Sequence, residues 1–325
     1  MVSSAKPVVC IVTPGTRGAN NGNWRTAARW AAMLRERCRV IVQTTWDGSP
    51  VDAMLALHAR RSSGTIAAYR ERFPKAPLAV VLTGTDLYRD LPGDPDARRS
   101  LDLADRIVVL QDDAPRCLPR AWRRKCEVIF QSASPVKAAR GRARDLRCVV
   151  VGHLREEKDP ATLFEAIRKL PPDIPIRIRH IGGGLDPELQ AAAFQLARDE
   201  PRYRYAGALS HRATRAAIAM ADVLVHPSRM EGGANVIAEA MTAGTPVIAS
   251  RMSGNVGMLG RGYGGYFPVG DAAALSRRLS RAATDSGYLF GLRAQCRERK
   301  PIFSPSRERK ALCELVARLL AQARR

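Results

Sequence analysis

Residues 225–250 read VHPSRMEGGANVIAEAMTAGTPVIAS, and this order of residue types predicts a strand, a loop, a helix and a second strand. The loop contains Gly232, Gly233 and Ala234, and Asn235 follows at the expected start of the helix. Small residues let backbone N–H groups approach a ligand closely, and a helix N-terminus carries a partial positive charge. The stretch therefore predicts an anion-binding loop.

Two carboxylates flank this loop. Glu231 lies in the loop, and Glu239 follows about two helical turns later. A carboxylate can accept hydrogen bonds from two sugar hydroxyls at once. Two carboxylates around a phosphate-binding loop suit a ligand with hydroxyls on both sides of its phosphates, and a nucleotide sugar is such a ligand.

The same stretch resembles the donor-site signature of GT-B glycosyltransferases of the family-4 type. The family pattern is Pro-Ser-x-x-Glu-Gly, then small residues, then Glu-Ala-Met/Leu-Ala-x-Gly-x-Pro-Val. The matching positions are Pro227, Ser228, Glu231, Gly232, Glu239, Ala240, Met241, Gly244, Pro246 and Val247. The resemblance implies a UDP-sugar donor, with Glu231 on the sugar hydroxyls, Glu239 on the ribose, and the backbone of Gly232, Gly233, Ala234 and Asn235 on the phosphates.

Length and segment order predict two α/β domains. The 325 residues leave room for two hydrophobic cores, and short apolar segments alternate with amphipathic helical segments in both halves. We expect two Rossmann-like, doubly wound domains facing a cleft, which is the GT-B architecture. The expected parts are an acceptor-binding domain at 1–132, a linker at 133–146, a nucleotide-sugar domain at 147–303, and a helix at 304–325 that crosses back to the first domain. The apolar segment that ends before His58 is expected to be helical.

Other sequence features favour a cytoplasmic enzyme. No window approaches 18 uninterrupted apolar residues, and the N-terminal apolar run is too short for a signal peptide. The seven cysteines are scattered without CxxC spacing, so we expect reduced thiols and neither a disulfide framework nor a zinc site. The basic amphipathic C-terminal helix could lie on a membrane surface, but packing against the protein body is the favoured interpretation.

The formal net charge of +22 indicates that the protein interacts with an anionic partner. Nucleic acid is disfavoured, because no nucleic-acid module motif is found and only 6% of the residues are aromatic. No stable membrane insertion is expected. Attraction of small anionic substrates is the simpler interpretation.

A second anion site is predicted at residues 152–158. This segment resembles the family's Gly-Arg-Leu-x-x-x-Lys, whose basic residues hold the donor diphosphate. Lys158 matches the family's lysine, whereas His153 stands at the family's arginine position. Either Arg155 supplies the missing charge or a neutral His153 hydrogen-bonds a phosphate. Gly183, in a run of three glycines, is expected to line the nucleotide pocket. The residues predicted to act in catalysis are Lys158, Arg155 and Glu231.

The first domain is predicted to bind the acceptor. Asn21 and Gly22 stand where the family has a glycine-rich loop, and residues 83–86 stand where many members read His-Gly-Thr. The family's histidine is missing here, and Asp86 is either a base or a cap of the next turn. Arginines at four positions are candidates for phosphate oxygens. The full predicted set is Arg17, Asn21, Gly22, Arg25, His58, Arg60, Arg61, Thr85 and Asp86.

Four segments suggest a narrower resemblance. The segments LHARRSSGTI (57–66), LTGTDLYRD (82–90), VVGHLREEKDP (150–160) and PSRMEGGANVIAEA (227–240) resemble the bacterial selenosugar synthases of the selenoneine pathway. That family couples selenophosphate to a UDP-sugar, here expected to be UDP-GlcNAc or UDP-glucose. Selenophosphate is already an anionic nucleophile, so it needs capture rather than deprotonation. The resemblance implies no cofactor and no metal. An ordinary hydroxyl acceptor and a UDP-sugar 2-epimerase remain as alternatives.

Overall fold

Two six-stranded sheets, with every strand pair parallel, form the framework of the protein. The computed structural model describes residues 5–16, 22–136, 141 and 143–322. The chain divides into a first unit, Met1–Gln131 with Pro305–Arg325, and a second unit, Ser132–Ser304. Each unit contains one of the two sheets.

The strands follow the alternation that the sequence predicts, with two strands, at 53–57 and 266–267, that were not predicted. Their bounds are β1 Val8–Val12, β2 Arg39–Gln43, β3 Ala53–Leu57, β4 Leu78–Leu82, β5 Arg106–Val109, β6 Cys126–Val128, β7 Leu146–Val151, β8 Ile176–Ile181, β9 Tyr203–Tyr205, β10 Val223–His226, β11 Val247–Ser250 and β12 Tyr266–Phe267. The first sheet has the order β2-β1-β3-β4-β5-β6, and the second has the order β12-β11-β10-β7-β8-β9.

Helices connect these strands. Their bounds are α1 Gly22–Leu34, α2 Ser63–Arg72, α3 Leu91–Gly93, α4 Pro95–Leu103, α5 Arg120–Arg123, α6 Pro160–Arg168, α7 Pro187–Asp199, α8 His211–Met220, α9 Asn235–Ala243, α10 Ser253–Leu259, α11 Ala272–Thr284, α12 Ser286–Arg299 and α13 Pro305–Gln322. Parallel strands need crossover connections, and the helices of these crossovers cover the sheets. No helix in the described part of the chain has the length and apolar character needed to cross a membrane.

The helix predicted before His58 is wrong, because Ala53–Leu57 forms β3. All five of its residues are fully buried, and the strand lies between β1 and β4. A short apolar run without polar alternation fits a buried strand and a buried helix equally well. The segment forms a strand because it lies at the centre of the sheet, where both faces of a parallel strand are covered and need apolar side chains.

Alternate residues of β3 belong to two different hydrophobic cores. One core contains Leu55 and Leu57 with the inner faces of α1 and α13, and the other contains Met54 and Ala56 with α2 and α4. Helix α13 contributes five buried side chains to the first of these cores, namely Leu312, Cys313, Leu315, Val316 and Leu319. The C-terminal helix is therefore packed on the first unit through its apolar face.

In the second unit, β10 lies between β11 and β7 at the centre of the sheet. Its neighbours run in the same direction, so the loops that follow β7, β10 and β11 leave the sheet at the same edge. In open α/β sheets, ligands bind outside the carboxyl ends of the strands. This edge of the second sheet is therefore where a ligand site is expected.

Candidate functional site

The stretch 225–250 folds as predicted, from β10 through a loop into α9 and then β11. Gly232 and Gly233 bend the loop, and Ala234 holds the N-cap position of α9 in an extended conformation. The helix ends at Gly244, whose φ of 74° is in the left-handed region that glycine adopts without steric cost. The loop between β10 and α9 thus presents a helix N-terminus at the carboxyl edge of the sheet.

Glu231 and Lys158 form a buried ion pair at this edge. The Lys158 Nζ donates to Glu231 Oε1 at 2.5 Å, and their side chains are only 19% and 10% exposed. The Nε2 atom of the buried His226 lies 3.0 Å from the same oxygen, but in a direction that does not give a hydrogen bond. Burial by itself raises the pKa of the Glu231 carboxyl, yet Lys158 and His226 outweigh it and hold that pKa well below its usual range. Glu231 is therefore an ionised carboxylate.

Two further contacts tie the Lys158 loop to the Glu231 loop. The Arg229 backbone N–H donates to the Glu157 carbonyl at 2.9 Å, and the Arg229 Nε lies 3.1 Å from Asp159 Oδ2. Asp159 has a φ of 50° and caps the N-terminus of α6 by accepting from Thr162. The two loops therefore hold a fixed distance between a cation and a carboxylate.

A small cavity lies beside this ion pair. One of its polar atoms, Ser228 Oγ, is buried and has no hydrogen-bond partner among the described residues. Buried polar atoms without partners are uncommon and indicate a place where a ligand or water can bind. The cavity is lined by Val150, Val151, Gly152, Lys158, Pro160, His180, His226, Pro227 and Ser228.

His153 joins the Lys158 loop to the glycine run after β8. Its Nδ1 accepts the Gly183 backbone N–H at 2.9 Å, so a neutral imidazole carries its proton on Nε2. The approach is close, because a Cβ on Gly182 would lie 1.9 Å from the Gly152 carbonyl oxygen. Arg155 is different, since its side chain is 44% exposed and its Nε is 3.8 Å from Glu157. His153 is thus fixed in place, whereas Arg155 is a solvated cation.

Glu239 is buried on α9, and its Oε1 lies 2.8 Å from the Nε2 of His211. His211 is the first residue of α8 and was not predicted as a site residue. Gly254 was also missed, although a Cβ there would lie 1.9 Å from the Glu231 carbonyl oxygen. Neither residue carries a local sequence signal, because each meets its glutamate only through the tertiary fold.

The predicted residues of the first unit are only partly described. Arg17 and Asn21 lie outside the described residues. Gly22 is the exposed first residue of α1, and Arg25 is half-buried on the same helix. The strands β3 and β4 are neighbours, so the loops after them bring His58 and Thr85 together, with 3.1 Å between His58 Nε2 and Thr85 Oγ1.

His58 is buried directly after β3. Arg60 is paired through its Nε with Asp94 at 2.7 Å and lies 3.7 Å from Asp90. Arg61 is exposed and makes no ion pair within the part of the chain that the structure describes. The two neighbouring arginines therefore differ in how much charge they leave for a ligand.

Asp86 is fully buried, and its carboxylate accepts four backbone N–H groups. The donors are Ala59, Thr83, Gly84 and Leu87, at 2.7–3.1 Å. A carboxylate whose oxygens are occupied by backbone N–H groups holds the turn together. The geometry therefore favours the turn-capping role of Asp86 over the role of a base.

The described residues contain neither a candidate metal cluster nor a disulfide. Among the described residues, no group of three or more His, Cys, Asp or Glu side chains could hold a metal ion. The structure describes all seven cysteines, and none of them forms a disulfide.

Comparison with known proteins identifies the family of the chain and solved structures with a similar fold. Residues 138–301, half of the chain, match the family described as glycosyl transferases group 1. No curated protein matches the chain by sequence. Anabaena HepE, crystallised in complex with UDP and also with UDP-glucose, is similar with a TM-score of 0.75 and 16% identity, over 96% of this chain and 100% of HepE. Sucrose-phosphate synthase from Thermosynechococcus elongatus has a TM-score of 0.77 and 17% identity, over 97% of this chain and 99% of that one. At such identities the likeness shows the fold alone.

Proposed function

Because the chain belongs to the glycosyl transferases group 1, we propose that it transfers a sugar from a UDP-sugar to selenophosphate. Its two α/β domains with parallel sheets are those of the GT-B fold. The donor would be UDP-GlcNAc or UDP-glucose, and the seleno-sugar formed would serve selenoneine biosynthesis. The family membership supports the transferase activity, and the identities of donor and acceptor are the proposal.

The part of the proposal that concerns the sugar donor rests on the contact between Lys158 and Glu231. It brings a cation suited to a diphosphate and a carboxylate suited to sugar hydroxyls to one edge of the second sheet. HepE was crystallised with UDP-glucose, which supports a UDP-sugar here. Glu231 would hold the sugar hydroxyls, Glu239 the ribose, and the start of α9 at Asn235 the phosphates.

The leaving group is UDP. Selenium attacks the anomeric carbon, and a carbon–selenium bond forms as the bond from that carbon to the diphosphate oxygen breaks. The product still carries the phosphate on selenium, and water must cleave that phosphorus–selenium bond to release the seleno-sugar and inorganic phosphate. Negative charge then grows on UDP, where Lys158, Arg155 and the Nε2–H of His153 can stabilise it. In this proposal the charges of the protein itself stabilise the leaving group, and a metal is not required.

The part of the proposal that concerns the acceptor rests on the contacts of Asp86. A hydroxyl acceptor must lose a proton as the new bond forms, and this step needs a base. Asp86 is the predicted candidate for this base, with capping of the next turn as the alternative, and its carboxylate is occupied by four backbone N–H groups. Selenophosphate is already an anionic nucleophile and does not need such a base, which favours it over a plain sugar hydroxyl.

The proposal is tested by incubating the protein with UDP-GlcNAc or UDP-glucose, with and without selenophosphate, followed by mass spectrometry. We expect UDP release and a selenium-bonded sugar only when selenophosphate is present. Lys158→Ala should lower turnover about tenfold or more, because its charge matters most as UDP departs. Lys169→Ala, which changes an exposed lysine just beyond α6, is the matched control.

Two outcomes would contradict the proposal. UDP release with a plain sugar acceptor, and none with selenophosphate, would make the chain an ordinary hydroxyl-transferring enzyme. Conversion of UDP-GlcNAc to its 2-epimer without any acceptor would make it an epimerase.

A further inference from the structure

His58 has an unusual backbone conformation at the end of β3. Its φ is 73°, and His58 and Asp159 are the only described non-glycine residues with positive φ. A side chain in this region costs free energy, and the conformation persists only where surrounding contacts hold it. Such residues concentrate at functional sites. Asp159 has an evident role as the cap of α6, whereas His58 lies in the first unit with no such role.

Backbone and side-chain contacts fix the orientation of the His58 imidazole. Its backbone N–H donates to Val81 at 2.8 Å, and its carbonyl accepts from Ser62 at 3.1 Å. Its Nδ1 accepts the Arg61 backbone N–H at 3.3 Å. Since Nδ1 is used as an acceptor, a neutral His58 must carry its proton on Nε2. Burial lowers the pKa of His58, and this outweighs the nearby carboxylates of Asp86 and Asp90, so the neutral form is the relevant one at pH 7.

The position of this proton decides what Thr85 can do. The Nε2–H of His58 points to Thr85 Oγ1 at 3.1 Å, whereas Asp90 Oδ2 is 3.9 Å from Nε2 and too far for a hydrogen bond. The Thr85 oxygen is therefore an acceptor of the imidazole N–H. A neutral imidazole that already carries a proton on Nε2 cannot take another from Thr85 at this atom. The Thr85 hydroxyl hydrogen is left to donate elsewhere, and the side chain is only half-buried.

We propose that His58 is a positioning residue that turns the Thr85 hydroxyl into a hydrogen-bond donor for a tetrahedral oxyanion, with Arg61 supplying the charge. Identifying this oxyanion with the phosphate group of the acceptor rests on the proposed function. Arg61 is suited to this role because it is exposed, whereas Arg60 is paired with Asp94 at 2.7 Å. Arg61 is linked to the same imidazole, because its backbone N–H donates to His58 Nδ1. A hydroxyl donor and a cation that reach the same anion bind it together, and neither can deprotonate an alcohol.

Inorganic phosphate is the probe for this inference. Its binding to the full chain is measured by calorimetry with UDP at saturation, so that the Lys158 site is occupied. Thr85→Val should weaken phosphate binding about tenfold or more, the cost of one charge-assisted hydrogen bond. Thr85→Ser should restore the affinity to within about threefold, because it keeps the hydroxyl. Thr44→Val, at an exposed threonine just after β2, should leave it unchanged.

The role of His58 needs a separate measurement. His58→Asn should also weaken phosphate binding, and asparagine tolerates positive φ. If His58 acts only through Thr85, adding Thr85→Val to His58→Asn should cause little further loss, whereas independent roles would give additive losses. Arg61→Gln changes an exposed side chain, so it tests the site with little risk to folding, and it should weaken phosphate binding about tenfold.

The UDP titration separates this inference from the proposed function. Wild-type protein that binds UDP but no phosphate, or Thr85→Val and Arg61→Gln variants that bind phosphate as the wild type does, would overturn the oxyanion site and leave the donor proposal standing. Protein that binds no UDP would overturn the donor proposal. Loss of phosphate binding in the Thr85→Val and Arg61→Gln variants would still support the oxyanion site in that case.

Discussion

At the residue scale, Lys158 and Glu231 each neutralise the other. The 2.5 Å contact lies in a poorly solvated place, where an ion pair is stronger than in water and where an unpaired charge is costly. If Lys158 binds the diphosphate of the donor, it must share its charge between Glu231 and the ligand. The carboxylate that helps to hold the sugar therefore competes with the diphosphate for one lysine.

This competition predicts opposite effects of the two glutamates on UDP binding. Glu231→Gln removes the competing charge but keeps the shape of the side chain, so UDP affinity should rise about tenfold while turnover of the UDP-sugar falls. Glu239→Gln changes a carboxylate that contacts His211 rather than Lys158, and it should lower UDP affinity, because a charged hydrogen bond contributes about 1–3 kcal/mol. Calorimetric titration with UDP measures both. Equal weakening by the two variants would contradict the exchange of Lys158 between partners.

At the element scale, α13 is held to the first unit by a buried carboxylate as well as by its apolar face. Glu308 is 1% exposed, and its Oε1 accepts from Trp30 Nε1 at 2.7 Å and from Arg29 Nε at 3.0 Å. These contacts join residues that are far apart in the sequence, and they fix which turn of α13 faces α1. Truncating one partner of such a network leaves a buried donor without an acceptor.

Replacing Glu308 should therefore destabilise the first unit. Glu308→Ala should lower its free energy of unfolding by about 2–4 kcal/mol, whereas Glu314→Ala, at a half-exposed site on the same helix, should change it by less than about 0.5 kcal/mol. Urea unfolding followed by tryptophan fluorescence is specific for this unit, because the four tryptophans, 24, 30, 46 and 122, all belong to it. Similar unfolding midpoints for the two variants would show that Glu308 has no anchoring role.

At the scale of the whole molecule, the formal net charge of +22 affects the rate at which the protein meets anionic substrates. Arginine dominates this charge, and both the proposed donor and the proposed acceptor are anions. A potential spread over the surface raises the rate of encounter with small anions, and dissolved salt screens it over about 10 Å at 0.1 M ionic strength. Buried pairs such as Lys158 with Glu231 are screened far less.

The charge predicts a rate that depends on salt. At subsaturating acceptor, the transfer rate should fall about tenfold between low salt and 0.2 M NaCl, while the rate at saturating acceptor should change little. Steady-state assays at several salt concentrations measure this, and sucrose of equal osmolality is the control for effects unrelated to charge. A rate that is equally insensitive to salt at both acceptor concentrations would contradict electrostatic steering of the acceptor.

Much of the second unit could be predicted from the sequence. Regular alternation of apolar strands and amphipathic helices was sufficient to predict β7 to β11 and the helices between them. The stretch 225–250 indicated its own strand, loop and helix, because small residues and the Gly244 helix end are local signals. The strand β3 was missed for the opposite reason, since VDAMLAL carries no periodicity of its own.

The sequence by itself determined the parallel α/β class, the loop at residues 231–235 with the helix that follows it, and the residues placed at the carboxyl ends of strands. Local patterns are enough for these features, because the turn residues and the period of apolar side chains act over a few positions. Only the tertiary structure decided that Lys158 pairs with Glu231, that Asp86 is occupied by the backbone, and that His58 faces Thr85. These contacts join different loops of one sheet edge, and their distances depend on strand order and register, which no local pattern encodes.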